Sequence, residues 1–459
     1  MSDERLDRLA SLLRIRGAQP ASIIADELGI SQPSVSRLIS DAGSRIVRIG
    51  RARATRYALT RKVARAGSRW PLYRIDADGK PHTLGELYAL ARDEFFFEPN
   101  GSRPTLTYGD FASGLFPGLP WFLDDQRPQG FLGRSFARRI AGEITAPEDL
   151  KHWLPEDMVL ALLHHGDDAP GDLVLGEASL QKAMQGVISP ADTVAKDQRS
   201  TRYPQLAEAV LRGEDVGSSA GGEQAKFAVT LQSGESTTPV IVKFSESKET
   251  RAGRRWADLL ICEHHASAVL LEFDLPAARN EIIESEGRVF LQSTRFDRTP
   301  ALGRRGFVSL AALDAAFYAN GMMEWWRLAP LLARDGWIGD ADAHRLRVIS
   351  WFGLLIGNSD MHLGNAALHL ADEMPLELAP VYDMLPMRFR PANSGEIVER
   401  RYEIALPAPE QKFDWLEAAP MARQFWKRIG NEPRISRPFQ AIAHDAGAAL
   451  DRAMRHLGP

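Results

Sequence analysis

The sequence predicts an α+β multidomain protein, with a winged helix-turn-helix unit at the N-terminus and a longer body of mixed helices and strands behind it. Three observations carry this. The 459 residues exceed what one hydrophobic core ordinarily organises. The charge is divided: residues 1–65 hold 13 Lys+Arg against 6 Asp+Glu, a net +7, whereas the rest stands at −11. The apolar spacing is helical over the first forty residues and becomes strand-like directly after them. A basic arm on an acidic body points to nucleic acid as the partner of the arm and to different work for the body.

The first element is a helix over residues 3–16, with Leu6, Leu9, Leu12, Leu13 and Ile15 forming most of an apolar stripe. Gly17 and Pro20 end it. Residues 21–28 make a short second helix, Gly29 the turn, and Ser31 caps a third helix that begins near Gln32-Pro33. Helix, short Gly-containing turn, helix is the helix-turn-helix pattern. Residues 45–49 and 54–59 then read as two strands around Gly50-Arg51-Ala52-Arg53, which makes a wing. In such a unit the start of the third helix reaches base edges, here with Gln32, Ser34, Ser36 and Arg37. Arg48, Arg51 and Arg53 on the wing suit phosphate or the minor groove. A three-helix module that binds only protein is the plainer alternative. The polar face and the arginine-tipped wing favour double-stranded DNA, read by residues 1–63 as a monomer or as a homodimer.

Residues 64–69 form a linker. Beyond it, residues 71–75 read as a strand, Asp78-Gly79 as a turn and residues 84–93 as a helix. The stretch LPWFLDDQRPQGFLGR, residues 119–134, is dense in Pro, Gly and aromatics and reads as a loop packed by its own side chains. Residues 147–165 look helical. His164-His165 and Asp167-Asp168 lack the further ligands that a tetrahedral zinc site needs. The longest apolar run, residues 349–356 with Ser350 inside it, is far short of the ~18–20 residues that span a bilayer. The opening MSDERLDRLA has no apolar core of a signal peptide. A cytoplasmic protein without membrane contact is expected, and the single Cys262, which has no partner for an internal disulfide, fits that compartment as a packed core thiol.

Four separated features in the body fit one reaction. Gly217-Ser218-Ser219-Ala220-Gly221-Gly222 precedes Lys226 and a strand-like run at 227–231; glycine-rich backbone approaches an anion closely and points N–H groups at phosphates. The same loop matches the G-x-S-x-G of hydrolases, but the flanking residues are polar before and strand-like after, the reverse of what that motif needs. Second, Val240-Ile241-Val242-Lys243-Phe244 sends a lysine out of a buried β-branched strand, and a helix over 256–271 carries Glu263, able to hold it. Third, an apolar helix over 346–356 ends in Gly357-Asn358-Ser359-Asp360-Met361-His362-Leu363-Gly364-Asn365, where Asp360 and Asn365 have the spacing of a base aspartate and a metal-binding asparagine. Fourth, a strand-like run at 376–382 ends in Asp383, a suitable second metal ligand. Each has a plainer reading, as a surface turn, an edge lysine, a turn-capping Asp360 or a solvated Asp383. The ordered set is what gives them weight.

At this point the chain resembles the HipA family of toxin kinases, from about Pro71 to the C-terminus. The carriers are LPWFLDDQRPQGFLGR, SSAGGEQAKF, VIVKF, RFDR at 295–298, GNSDMHLGN at 357–365 and APVYDML at 379–385. The resemblance implies a bilobal kinase fold: a HipA-like N-terminal subdomain over 64–185, an ATP-binding region over 186–298 and a helical C-terminal lobe over 299–459. It implies Asp360 as the catalytic aspartate, Mg²⁺ on Asn365 and Asp383, and ATP against Lys243, with Ser218, Ser219, Gly221, Gly222, Lys226, Glu263 and His362 around it. It also implies autophosphorylation in the Gly-rich loop, on Ser218 with Ser219 adjacent, and a protein substrate such as an aminoacyl-tRNA synthetase. Two departures stand out. Gly364 occupies the place of a lysine, and the Gly-rich loop is one residue longer before Lys226. A DNA reader within the same chain makes a separate antitoxin dispensable. The rival readings are a DNA-binding regulator with a degenerate kinase fold, and a metal-dependent DNA-processing enzyme.

Overall fold

The computed structural model describes residues 2–128, 130–188, 193–213, 224–234, 236–300, 303–321 and 323–458. They fall into two compact units, residues 1–127 with 137–187, and residues 128–136 with 188–459. Helices and sheets occur in both.

The first unit opens with three helices, α1 (Ser2–Arg16), α2 (Ala21–Leu28) and α3 (Gln32–Ala42). Gly29, with φ 63°, ends α2 in the left-handed region that glycine enters without a Cβ penalty. Ser31 caps α3 by accepting from the Ser34 N–H. An antiparallel hairpin follows, β1 (Ile46–Ile49) with β2 (Arg56–Leu59). Leu9, Leu13, Ile24, Val35 and Leu38 supply the core of the three helices.

Residues 64–69 are not a free linker. Val63 is buried, its N–H donates to Gly67 O, and the Arg61 N–H pairs with Ala89 O. Ala18, Val47, Ile49 and Ala58 pack with Leu90 and Phe96 in one apolar cluster. Strands β3 (Arg69–Ile75), β4 (Pro81–Ala89), β5 (Phe95–Pro99), β6 (Leu115–Phe116) and, later in the chain, β7 (Leu173–Leu175) form an antiparallel sheet in the order β6-β5-β4-β3-β7.

The expected helix over 84–93 is therefore a strand up to Ala89. Leu84, Leu87 and Leu90 are all buried and recur every third residue, which imitates a helical stripe. A register shift in the β3–β4 pairing at Leu84 breaks the strand alternation between Leu84 and Leu87, and Leu90 lies just past the strand end. The residues read as one loop at 119–134 divide in two. Residues 121–126 form a 3₁₀ turn with Trp121, Phe122 and Leu123 buried, and helix α4 (Gly130–Ile144) begins where a continued loop was expected. Helix α5 (Pro155–His165) covers only the second half of the stretch read as helical. Helix α6 (Glu177–Ile188) follows β7.

In the second unit a five-stranded sheet runs β11-β12-β10-β9-β8, from β8 (Thr193–Ala195), β9 (Lys226–Ser233), β10 (Ser236–Phe244), β11 (Asn280–Ser285) and β12 (Arg288–Thr294). All neighbours are antiparallel except β8 with β9. Helix α7 (Arg199–Gly213) packs on it through Tyr203 and Ala207, against Phe227, Phe244 and Phe290. Helix α8 (Arg251–Glu272) enters after β10, capped by the Thr250 hydroxyl. The remainder is mainly helical: α9 (Leu310–Leu313), α10 (Trp325–Arg334), α11 (Asp340–Leu355), α12 (Lys412–Asn431) and α13 (Arg437–Leu457). A small sheet joins β13 (Val308–Ser309), just before α9, to β14 (Ala367–His369) and β15 (Glu377–Leu378), between α11 and α12. The strand expected over 376–382 is thus short; beyond β15, Leu376 and Val381 add single bridges, to Ile338 and Ala277. Among the described residues no helix is long and apolar enough to cross a membrane.

Candidate active site

The site lies in the second unit, where β10, α8 and the two loops after α11 and β15 converge. Lys243 ends the apolar run of β10, which gives its side chain a dry stem. It is 8% exposed and donates to Glu263 Oε1 at 2.6 Å and Oε2 at 2.8 Å. Glu263 comes from the middle of α8 and is 3% exposed. The same ammonium also binds the Asp383 carboxylate. Burial alone would lower the lysine; Asp383 and Glu263 outweigh it, and it is held firmly protonated. Burial raises the Asp383 carboxyl too, but Lys243 and Lys226 overcome this and hold it ionised, below the usual carboxylate range. Glu263 is pushed up by burial and by Asp383, against the pull of Lys243.

Lys226 stands directly opposite Lys243 in the β9–β10 ladder, so both lysines share a face of the sheet. Like charges at opposite positions repel. Here they are tolerated beside two carboxylates, and they form a place for further negative charge. Gln224, just before β9, donates to Phe244 O and ties the approach to the strand. Ser218, Ser219, Gly221 and Gly222 lie outside the described residues.

The Asp360 loop is closed by short-range bonds. Asn365, 6% exposed, donates its amide nitrogen to Asp360 O at 2.9 Å, which leaves its Oδ1 as the end available to a cation. His362 accepts the Gly364 N–H on Nδ1 at 3.1 Å, so Nε2 is the remaining nitrogen and carries the proton in the neutral ring. A Cβ at position 364 would stand 3.0 Å from that imidazole; glycine in place of lysine goes with this folded-back ring. Asp360 is half-buried.

Side chains that the motifs contain without marking, and Trp325 outside them, hold the loops in place. Asn358 accepts the Asp360 N–H and donates to Asp383 O. The Tyr382 hydroxyl donates to Gly364 O at 2.6 Å, and its ring stacks on Phe296 of the RFDR stretch at 5.8 Å. Trp325 donates its indole N–H to His362 O. In RFDR itself, Asp297 receives both Arg295 and Arg298. No spacing rule marks these roles, because each depends on how the chain closes.

The donor set suits a hard cation. Asp383 and Asn365 offer oxygen ligands, and Mg²⁺ takes one or two from protein with the rest from phosphate and water. Among the described residues no three His, Cys, Asp or Glu side chains form a metal cluster, and this ion requires none. Cys262 is fully buried in α8, with its thiol pushed up by burial.

In the first unit, Gln32, Ser36 and Arg37 are exposed along the start of α3, and Ser34 is half-buried. Two of the serines are partly engaged within the helix: Ser34 with the Ser31 hydroxyl at 2.9 Å and Ser36 with Gln32 O. Arg48, Arg51 and Arg53 are exposed on the hairpin, Arg48 within 3.4 Å of the Thr55 hydroxyl.

Comparison with known proteins adds the following. Residues 218–451, just over half of the chain, match the model of the HipA-like C-terminal domain. Residues 66–184 match that of the YjjJ-like toxin middle domain. Neither match reaches the first 65 residues. The protein named Toxin YjjJ of Escherichia coli K12 is 37% identical over 441 residues, covering 96% of each chain. Among solved structures, HipA of Shewanella oneidensis MR-1, determined with HipB and operator DNA, aligns with a TM-score of 0.49 at 16% identity over 83% of this chain and 97% of that one. The Helicobacter pylori proinflammatory kinase CtkA aligns with a TM-score of 0.35 at 12% identity, over 50% and 90% respectively.

Proposed function

This chain belongs to the HipA-like family, in its YjjJ-like branch, and from that premise we propose that it is a toxin that acts as an ATP-dependent protein serine/threonine kinase and binds DNA through residues 1–63. One observation supports the kinase reading above the others. Lys243, Glu263 and Asp383 are joined in a single ion cluster, and the loop bearing Asp360 and Asn365 is bonded to the Asp383 backbone. A nuclease has no use for the lysine–glutamate pair, and a regulator without catalysis has no use for the D-x4-N loop beside it.

In this reading Lys243 and Lys226 attract the ATP phosphates, and Glu263 keeps Lys243 aimed along the strand. Asp383 and Asn365 hold Mg²⁺, which when bound offsets the phosphate charge. Asp360 accepts the hydrogen bond of an incoming serine or threonine hydroxyl and orients its oxygen at the γ-phosphorus. The new P–O bond forms as the bond to ADP breaks, and the hydroxyl proton passes to Asp360. His362 presents Nε2–H to the phosphates. Ser218 or Ser219 is the proposed site of self-modification: a phosphate there adds about −1.5 to −2 charges among groups that serve ATP, and so competes with it. An aminoacyl-tRNA synthetase remains a proposed substrate, and a reader in the same chain would let the toxin govern its own operator without a separate antitoxin.

The test is transfer of labelled γ-phosphate to proteins of a lysate. Asp360→Ala should abolish transfer while Mg²⁺-ATP still binds, because the base positions the acceptor and contributes little to holding nucleotide. Asp383→Ala should weaken Mg²⁺-ATP binding itself, read by calorimetry, through loss of a charged ligand. Turnover by Asp360→Ala at the wild-type rate removes the kinase reading. Unchanged affinity in Asp383→Ala removes the metal role of that residue.

A further inference from the structure

We propose that Asn358 is a positioning residue that fastens the Asp360 loop to the Asp383 turn and so fixes the distance between proton acceptor and metal ligand. The inference rests on the kinase reading above.

Asn358 is 4% exposed, and its side-chain amide is used at both ends. Oδ1 accepts the Asp360 N–H at 3.0 Å. Nδ2 donates to Asp383 O at 3.1 Å and faces Met384 Sδ at 3.7 Å. Its own N–H donates to Gly353 O in α11 at 2.9 Å, which anchors the residue to a buried helix. One planar group thus spans the Asp360 loop and the Asp383 turn, beside the backbone bond from the Arg388 N–H to Gly357 O at 3.0 Å. An amide is the small side chain that can do this, since it offers an acceptor and donors on one rigid terminus.

Two further features show that the junction needs a fastener. Asp383 has φ 56°, in the left-handed region that non-glycine residues enter uncommonly. The turn is therefore held by its surroundings rather than by its own preference. At Gly353 a Cβ would lie 2.3 Å from Met361 Sδ and 3.0 Å from Met384 Sδ. The residues following Asp360 and Asp383 therefore press on the same bare spot of α11. The helix supplies the floor, and the Asn358 amide sets how the two loops sit on it.

A buried asparagine that merely satisfies the backbone would affect stability alone. A positioning residue affects rate at saturating nucleotide. The full-length chain carrying Asn358→Ala should transfer phosphate to lysate proteins about 100-fold more slowly at saturating Mg²⁺-ATP, the cost of misplacing reacting groups by about 1 Å. The KM for ATP should stay within about threefold, because Lys243 and Glu263 are untouched. Asn358→Asp keeps the acceptor for Asp360 N–H and loses the donor to Asp383 O. Its rate should fall about tenfold, and it decides the matter alone if the alanine variant does not fold.

A rate within about twofold of wild type in a folded variant overturns the assignment, as does a KM that rises in step with the rate loss. These outcomes are separable from failure of the kinase reading, which shows as no transfer by the wild type or as transfer surviving Asp360→Ala. In either of those cases the assignment of Asn358 falls with it.

Discussion

At Lys243 two carboxylates meet one ammonium, with Lys243 and Glu263 buried and Asp383 half-buried. Each charge is affordable only because of the others. Glu263 shows this best, since burial has already pushed its carboxyl up while Lys243 holds it charged. In Lys243→Met the ion pair is cut and Glu263 is left buried without its cation. Breaking such a pair costs about 3–5 kcal/mol. The deficit should depend on pH. A carboxyl whose folded pKa lies above its unfolded value favours the fold below the unfolded value and loses that contribution as pH rises through the folded one. Loss of the lysine raises Glu263 further. Denaturant unfolding should therefore show the gap between variant and wild type narrowing as the pH is lowered and Glu263 takes up a proton. A gap that does not change with pH would mean that Glu263 stays ionised without Lys243.

At the scale of elements, α3 and the β1–β2 hairpin present the proposed DNA surface, and their exposed arginines sort by role. The full-length chain should shift duplex DNA in a salt-dependent manner, with a log–log slope of about −0.9 per phosphate contact. Arg51→Ala and Arg53→Ala should each reduce that slope by about one, whereas Arg37→Ala should relax sequence preference instead. Retardation that ignores salt, or that is absent, would leave α3 as a protein-binding face. The three helices and the hairpin were legible in the sequence because their signals are local: Gly29, the Ser31 cap and the apolar stripe of α1 act within a few residues. Strand β4 was not, because its bulge is set by pairing with β3 and gives the leucines a helical period. The loop from Asp360 to Asn365, proposed as the catalytic one, stood out by its spacing, which is covalent. Asn358, Tyr382, Trp325 and Phe296 acquired their roles only on closure, when segments distant in sequence met. The Gly-rich loop, read from sequence as an anion cradle, falls outside the described residues.

At the scale of the chain, the division of charge suggested two kinds of work, and the fold of the first unit qualifies how separate its parts are. The proposed DNA-binding residues 1–63 were expected to be set off by a linker. Instead their hairpin contributes Val47, Ile49 and Ala58 to a cluster completed by Leu90 and Phe96. Arg61 reinforces the join through Leu90 O, Asp93 and Glu156. A beads-on-a-string arrangement would let a pull on the N-terminus extract the small helical module first, at low force, and stretch a slack tether before anything else yielded. Here the chain offers no such tether. If the protein is held at residue 2 and residue 187 in an optical trap, the opening rupture should release the three helices and the five-stranded sheet together, with a contour-length gain far greater than about sixty residues can supply at ~3.6 Å each. A separate early step of sixty residues would show the joint to be weaker than its packing indicates. A joint that yields only with its neighbour also transmits load: twist or tension that bound DNA applies to the helices would be felt as strain in the sheet behind them.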